Sequence, residues 1–112
     1  MGKQMKEYVV FTAINDRDWA DEFVTTLLDE NLITSATFFP EVEVMYNWDD
    51  RTQVDSEFKL MLKTYEDKLA AIEDILIRKH PYIVPEFIAI EASFGSQDFR
   101  LKVADKINKN SN

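Results

Sequence analysis

The sequence predicts an α+β fold, a ferredoxin-like β-α-β-β-α-β sandwich with a long hairpin between its second and third strands and an extra C-terminal helix. Three observations carry this. Segments with apolar residues at helical spacing alternate with segments that are apolar throughout or alternate in twos, and those two periods separate helix from strand. Two period-two stretches follow one another with only Asp49-Asp50-Arg51 between them. A stiff connection, His80-Pro81-Tyr82-Ile83-Val84-Pro85-Glu86, then joins a helix to a last strand. At 112 residues and 46% hydrophobic content the chain has room for one core, so residues 1–112 read as a single domain with an ordered core over about 6–107.

In order, Tyr8-Val9-Val10-Phe11 is a continuous apolar run, as expected of a central strand covered on both faces. Asn15 or Asp16 can cap a helix carrying Trp19, Phe23 and Leu27, with Ala20, Val24 and Leu28 beside them, and ending near Asn31. From Ser35 the period becomes two: Val42, Val44, Tyr46 and Trp48 share one face, and Glu41, Glu43, Met45 and Asn47 the other. Pro40 interrupts this strand and marks a bulge or an unpaired edge. The returning strand puts Val54, Phe58, Leu60 and Leu62 on one side, and Gln53, Asp55, Glu57, Lys59, Met61 and Lys63 on the other.

Thr64-Tyr65-Glu66-Asp67 has the spacing of a capping box, ahead of a helix whose buried stripe is Leu69, Ile72 and Leu76. Pro81 cannot continue that helix and pushes His80 out of the helical region. Arg78, Lys79 and His80 therefore sit at the negative end of its dipole. Pro85 fixes a second bend before Phe87-Ile88-Ala89-Ile90, which reads as a buried strand. Ser96 can cap a last helix bearing Phe99, Val103 and Ile107.

Hairpin strands of about 12 residues reach roughly 40 Å, whereas helices of about 14 residues cover only roughly 21 Å. Half of the hairpin therefore overhangs the core, with Val44, Tyr46, Trp48 and Val54 on one side. An apolar ribbon with open edges invites another chain, so a homo-oligomer is expected in which each hairpin crosses onto its neighbour.

Composition closes several routes. The chain has no cysteine, one histidine and two glycines, which removes thiolate metal sites, paired-histidine zinc sites within one chain and glycine-rich phosphate loops. A net charge of −8 argues against nucleic acid, whose phosphates need cationic partners. No serine has the setting of an activated nucleophile, so no enzyme is expected. No apolar run approaches the roughly 20 residues of a membrane span; a cytoplasmic protein with no membrane or nucleic-acid partner is the expectation.

At Met45-Tyr46-Asn47-Trp48, along the strand from Glu57 to Lys63-Thr64, and above all at His80-Pro81-Tyr82 followed by Val84-Pro85-Glu86, the sequence resembles the CutA family of divalent-cation tolerance proteins. The resemblance runs from Tyr8 to about Ile107. It implies a very stable homotrimer of ferredoxin-like subunits, similar to the PII signalling proteins, and a connection to copper and other divalent metals. It also implies that Trp48, Glu57, Lys63, His80, Tyr82 and Glu86 line clefts between subunits. Phe11 and Ser35 stand where many members have cysteine, and Glu41 and Asp50 where glycine is common. Without thiolates, a tight Cu(I) site is excluded.

His80 with Glu57 and Glu86 from neighbouring subunits is a donor set suited to weakly held copper(II) or zinc. The competing reading is a histidine held by a helix end and its own hydrogen bonds. Glu57 and Lys63 lie roughly 20 Å apart along one strand. They serve either as interfacial ion pairs or, with Lys63 as the fixed cation, as part of a small-anion cleft. Two functions follow: a non-catalytic trimer that binds or responds to divalent metal, or a PII-like sensor or scaffold that takes a small anionic ligand or partner protein in the same clefts.

Overall fold

The apolar run at Tyr8 becomes the middle of β1 (Glu7–Ile14) in the computed structural model, which describes residues 5–93. It is followed by α1 (Arg17–Asp29), β2 (Ser35–Trp48), β3 (Arg51–Tyr65), a 3-10 turn over Glu66–Lys68, α2 (Leu69–Lys79) and β4 (Ile88–Ala92). The strands form one sheet in the order β2-β3-β1-β4, with every neighbouring pair antiparallel. This is the predicted ferredoxin-like α+β arrangement. The expected C-terminal helix with Phe99, Val103 and Ile107 lies outside the described residues.

Pairing fixes which residues share a face, because directly opposed residues point the same way. Val10, Thr12 and Ile14 oppose Leu62, Leu60 and Phe58, and this face receives both helices. Ala20, Phe23, Val24 and Leu27 of α1 and Ile72, Ile75 and Leu76 of α2 pack onto it. Burying each such aliphatic side chain contributes about 1.5–3 kcal/mol. Asp16 caps α1 as expected, its carboxylate accepting from the Trp19 amide at 3.1 Å. Leu28, expected on the buried flank, is instead exposed, because it lies one position past the stripe that ends at Leu27.

The capping box does not form. Thr64 is still in β3, and its hydroxyl donates to the Leu32 carbonyl at 2.6 Å. The chain enters α2 through the 3-10 turn, with no side-chain cap.

The face away from the helices carries Val9 and Phe11 of β1, Met61 and Lys63 of β3, and Ile88 and Ile90 of β4. Here β1 is only half covered and β4 is an edge strand, with Ile88 50% and Ile90 53% exposed. That corrects the expected burial: among the described residues of the single chain nothing lies over this face.

The hairpin overhangs as expected. β1 reaches along β3 only to the Ile14–Phe58 pair, so among the described residues 42–48 and 51–57 pair only with one another. The molecule measures 54 Å along its longest axis against 26 and 23 Å across. Pro40 does mark a bulge. Phe39 opposes Lys59 and Val42 opposes Glu57, so two residues of β2 face one of β3. The extra residue turns Val44, Tyr46 and Trp48 to the open face, opposite Asp55, Gln53 and Arg51. Val54 opposes Met45 and points to the helix side, which corrects its expected grouping with Val44, Tyr46 and Trp48.

Candidate functional site

The predicted site residues distribute around the segment that links α2 to β4. His80 ends α2 in an extended conformation (φ −71°, ψ 134°), as Pro81 dictates, while its amide still donates to the Leu76 carbonyl at 2.8 Å. Its ring packs edge-on to Trp19 and Tyr82, with centroids 4.8 and 4.6 Å away. From this position in the helix layer the chain passes the end of β1 and reaches the open face, where Glu86 meets Lys59.

Hydrogen bonding fixes the state of His80. Nε2 lies 2.8 Å from the Ala13 carbonyl, which can only accept, and Nδ1 lies 3.1 Å from the Tyr82 amide, which can only donate. The ring is therefore the neutral Nε2–H tautomer, with its one lone pair occupied. Burial pushes its pKa below the ordinary 6.5, partly opposed by the Ala13 bond and by the Glu57 charge. With only 7% of its surface exposed, His80 offers no lone pair to a metal as folded. The competing reading, a histidine held by a helix end and hydrogen bonds, is the one the single chain displays.

Tyr82 carries the arrangement forward. Its hydroxyl donates to Glu57 Oε2 at 2.9 Å. Burial, then that bond, pushes the phenol pKa up to about 12, so it remains a donor. Glu86 is held in a two-pronged ion pair with Lys59, whose Nζ lies 3.0 and 3.1 Å from the two carboxylate oxygens. On the ribbon, the Tyr46 hydroxyl donates to Asp55, which raises the Tyr46 pKa.

These groups wall a recess of about 850 Å³ between the ribbon and the connecting segment. Of the predicted residues, Trp48, Glu57, Tyr82 and Glu86 line it; His80 stands behind Tyr82 rather than on the wall, and Lys63 is not among the lining residues. Lys63 lies four β1-pairing positions beyond Lys59, opposite Val9 and Ser35. Among the described residues the wall holds three carboxylates, Asp55, Glu57 and Glu86, and no lysine or arginine. Among the described residues no three metal-ligating side chains converge, so these residues of one chain do not by themselves assemble a coordination sphere of the kind copper or zinc takes.

Sequence reasoning missed Asp55 and Lys59 as site residues. Asp55 was within reach, since it precedes Glu57 by two positions and must share its face. Lys59 was not, because its partner is 27 positions away in another element.

Residues 8–105 match the family described as CutA1 divalent ion tolerance protein. The chain is 33% identical over 91 residues to the divalent-cation tolerance protein CutA of Pyrococcus horikoshii, covering 81% of this chain and 88% of that protein. It is 28% identical over 97 residues to the chloroplastic CutA protein of Arabidopsis thaliana, covering 87% of this chain; it spans only about half, 53%, of that relative's length. Among solved structures, CutA1 from a psychrotrophic Shewanella superposes with a TM-score of 0.84 at 29% identity, covering 97% of this chain and 98% of the other. CutA1 from Pyrococcus horikoshii superposes with a TM-score of 0.80 at 31% identity, covering 89% and 96%. No described helix is long and apolar enough to cross a membrane.

Proposed function

This chain belongs to the CutA1 divalent ion tolerance family, and we propose that it is a non-catalytic, cytoplasmic homotrimer that holds divalent cations such as copper or zinc weakly, at clefts between subunits. The observation that carries this reading is the acidic recess beneath an overhanging ribbon. Among the described residues three carboxylates line it and no lysine or arginine does. Glu86 is paired with Lys59, so Asp55 and Glu57 give the recess its negative charge, which favours a positively charged occupant. A neighbouring subunit laid against the ribbon would close the recess and bring the further donors that a single chain lacks.

Within such a cleft Glu57 and Glu86 supply oxygen donors. His80 acts from behind, through Tyr82, unless it gives up one of its two hydrogen bonds. Trp48 anchors the neighbour, and Lys63, farther along the same face, meets it in an ion pair. The other reading, a small anionic ligand or a partner protein in these clefts, has the carboxylate wall against it.

Titration of copper(II) and zinc(II) into the purified oligomer tests the proposal. Glu57→Gln should weaken binding by roughly tenfold, whereas His80→Phe should change it little. Equal affinities for the wild type, Glu57→Gln and Glu86→Gln would exclude these carboxylates as ligands.

A further inference from the structure

We propose that the recess between the ribbon and the Pro81–Pro85 segment binds an aliphatic diammonium, the chemical class of the polyamines. This rests on the recess being the working site, as above, but assigns it a different occupant from a bare ion. Its volume of about 850 Å³ lies within the roughly 300–1,000 Å³ of small-molecule pockets. A single water-sized ion occupies a small fraction of that, on the order of 30 Å³.

The walls divide by chemistry into what a diammonium presents. Tyr46, Trp48 and Tyr82 supply aromatic rings, whose faces attract organic cations. Both phenol hydroxyls are turned to carboxylates, Tyr46 to Asp55 and Tyr82 to Glu57. Val44, Ile83 and Val84 supply apolar surface for methylene groups, and Ile83 is 98% exposed in the single chain. Trp48 is 66% exposed at the ribbon's end in the single chain.

Charge decides the class of ligand. Glu86 is neutralised by Lys59, whereas Asp55 and Glu57 form no ion pair among the described residues. These two are next-but-one on one strand, hence on one face and roughly 6.5 Å apart. They present two anionic positions in a row rather than three oxygens converging on one point, consistent with the lack of a metal-ligating group among the described residues. Two ammonium groups joined by a short aliphatic chain match that spacing, and among the described residues an anionic ligand finds no lysine or arginine lining the wall.

Calorimetric titration of the full 112-residue chain, in its native oligomer and at low salt, with putrescine, butylamine and zinc(II) as separate titrants tests this. Putrescine should bind saturably, and butylamine, with one ammonium, roughly tenfold more weakly. Asp55→Asn should weaken putrescine by roughly tenfold. The Asp55 side chain is exposed, so this variant should keep the wild-type circular dichroism and sedimentation. Absence of saturable putrescine binding, as when a second copy fills the recess, overturns the proposal; so does equal binding of butylamine, or indifference to Asp55→Asn. Zinc bound without putrescine would sink this inference and leave the metal reading standing, and putrescine bound without zinc would do the reverse.

Discussion

At His80 an acceptor on one side and a donor on the other leave room for only the neutral ring. Protonation would place an N–H against the Tyr82 amide and detach the segment that carries Tyr82. Its depressed folded-state pKa fixes the sign of the pH dependence. Below 6.5 the unfolded chain takes up a proton that the folded chain refuses, so stability falls on acidification from there down through the folded pKa. Urea unfolding at fixed protein concentration, from about pH 8 to about pH 5, should show this loss in the wild type. His80→Phe should lack that component and cost about 2 kcal/mol at neutral pH, because it strands the Ala13 carbonyl and the Tyr82 amide. Parallel pH slopes in the two proteins would exclude His80 as the titrating group. The sequence makes legible a histidine at a helix end, fixed by Pro81. It does not make legible that the acceptor is Ala13, 67 positions upstream, since that contact exists only once β1 and α2 share a core.

At the scale of elements, the hairpin departs furthest from its sequence pattern. Pro40 announces a bulge, and the alternation of Val42, Val44, Tyr46 and Trp48 announces a two-faced strand. Neither states which face follows, because that depends on the count of residues opposed across the bulge, which one strand cannot record. The turn is more transparent. Asp49 and Asp50 both have positive φ, 51° and 61°, the geometry of a tight two-residue hairpin turn. A Cβ is disfavoured there, and two adjacent carboxylates add repulsion. Asp50→Gly should therefore raise stability by about 0.5–1 kcal/mol, seen as a higher thermal midpoint with an unchanged oligomer. A lower midpoint would mean that the Asp50 side chain contributes contacts worth more than the relief.

For the whole molecule, strand order and helix placement were readable from periodicity alone, while burial on the open face was not. The run Phe87-Ile88-Ala89-Ile90 is apolar on both sides, the pattern of a strand covered twice, yet the described residues of one chain cover it once. A second chain over Ile88, Ile90, Phe11 and Val9 would account for that pattern. For the proposed trimer, sedimentation should report three times the 13.1 kDa of the chain, and Ile90→Glu, which places a charge on that face, should shift it toward 13.1 kDa. A wild type that sediments as a monomer would remove the trimer, and with it the closed cleft. The single supernumerary residue at Pro40–Glu41 also imposes a parity rule on the protein's future. Side chains along the ribbon alternate strictly, so one residue inserted between Val42 and the turn would send every ring beyond it to the wrong side, and a second would bring them back. Lineages descending from this chain are free to lengthen that arm only by even steps.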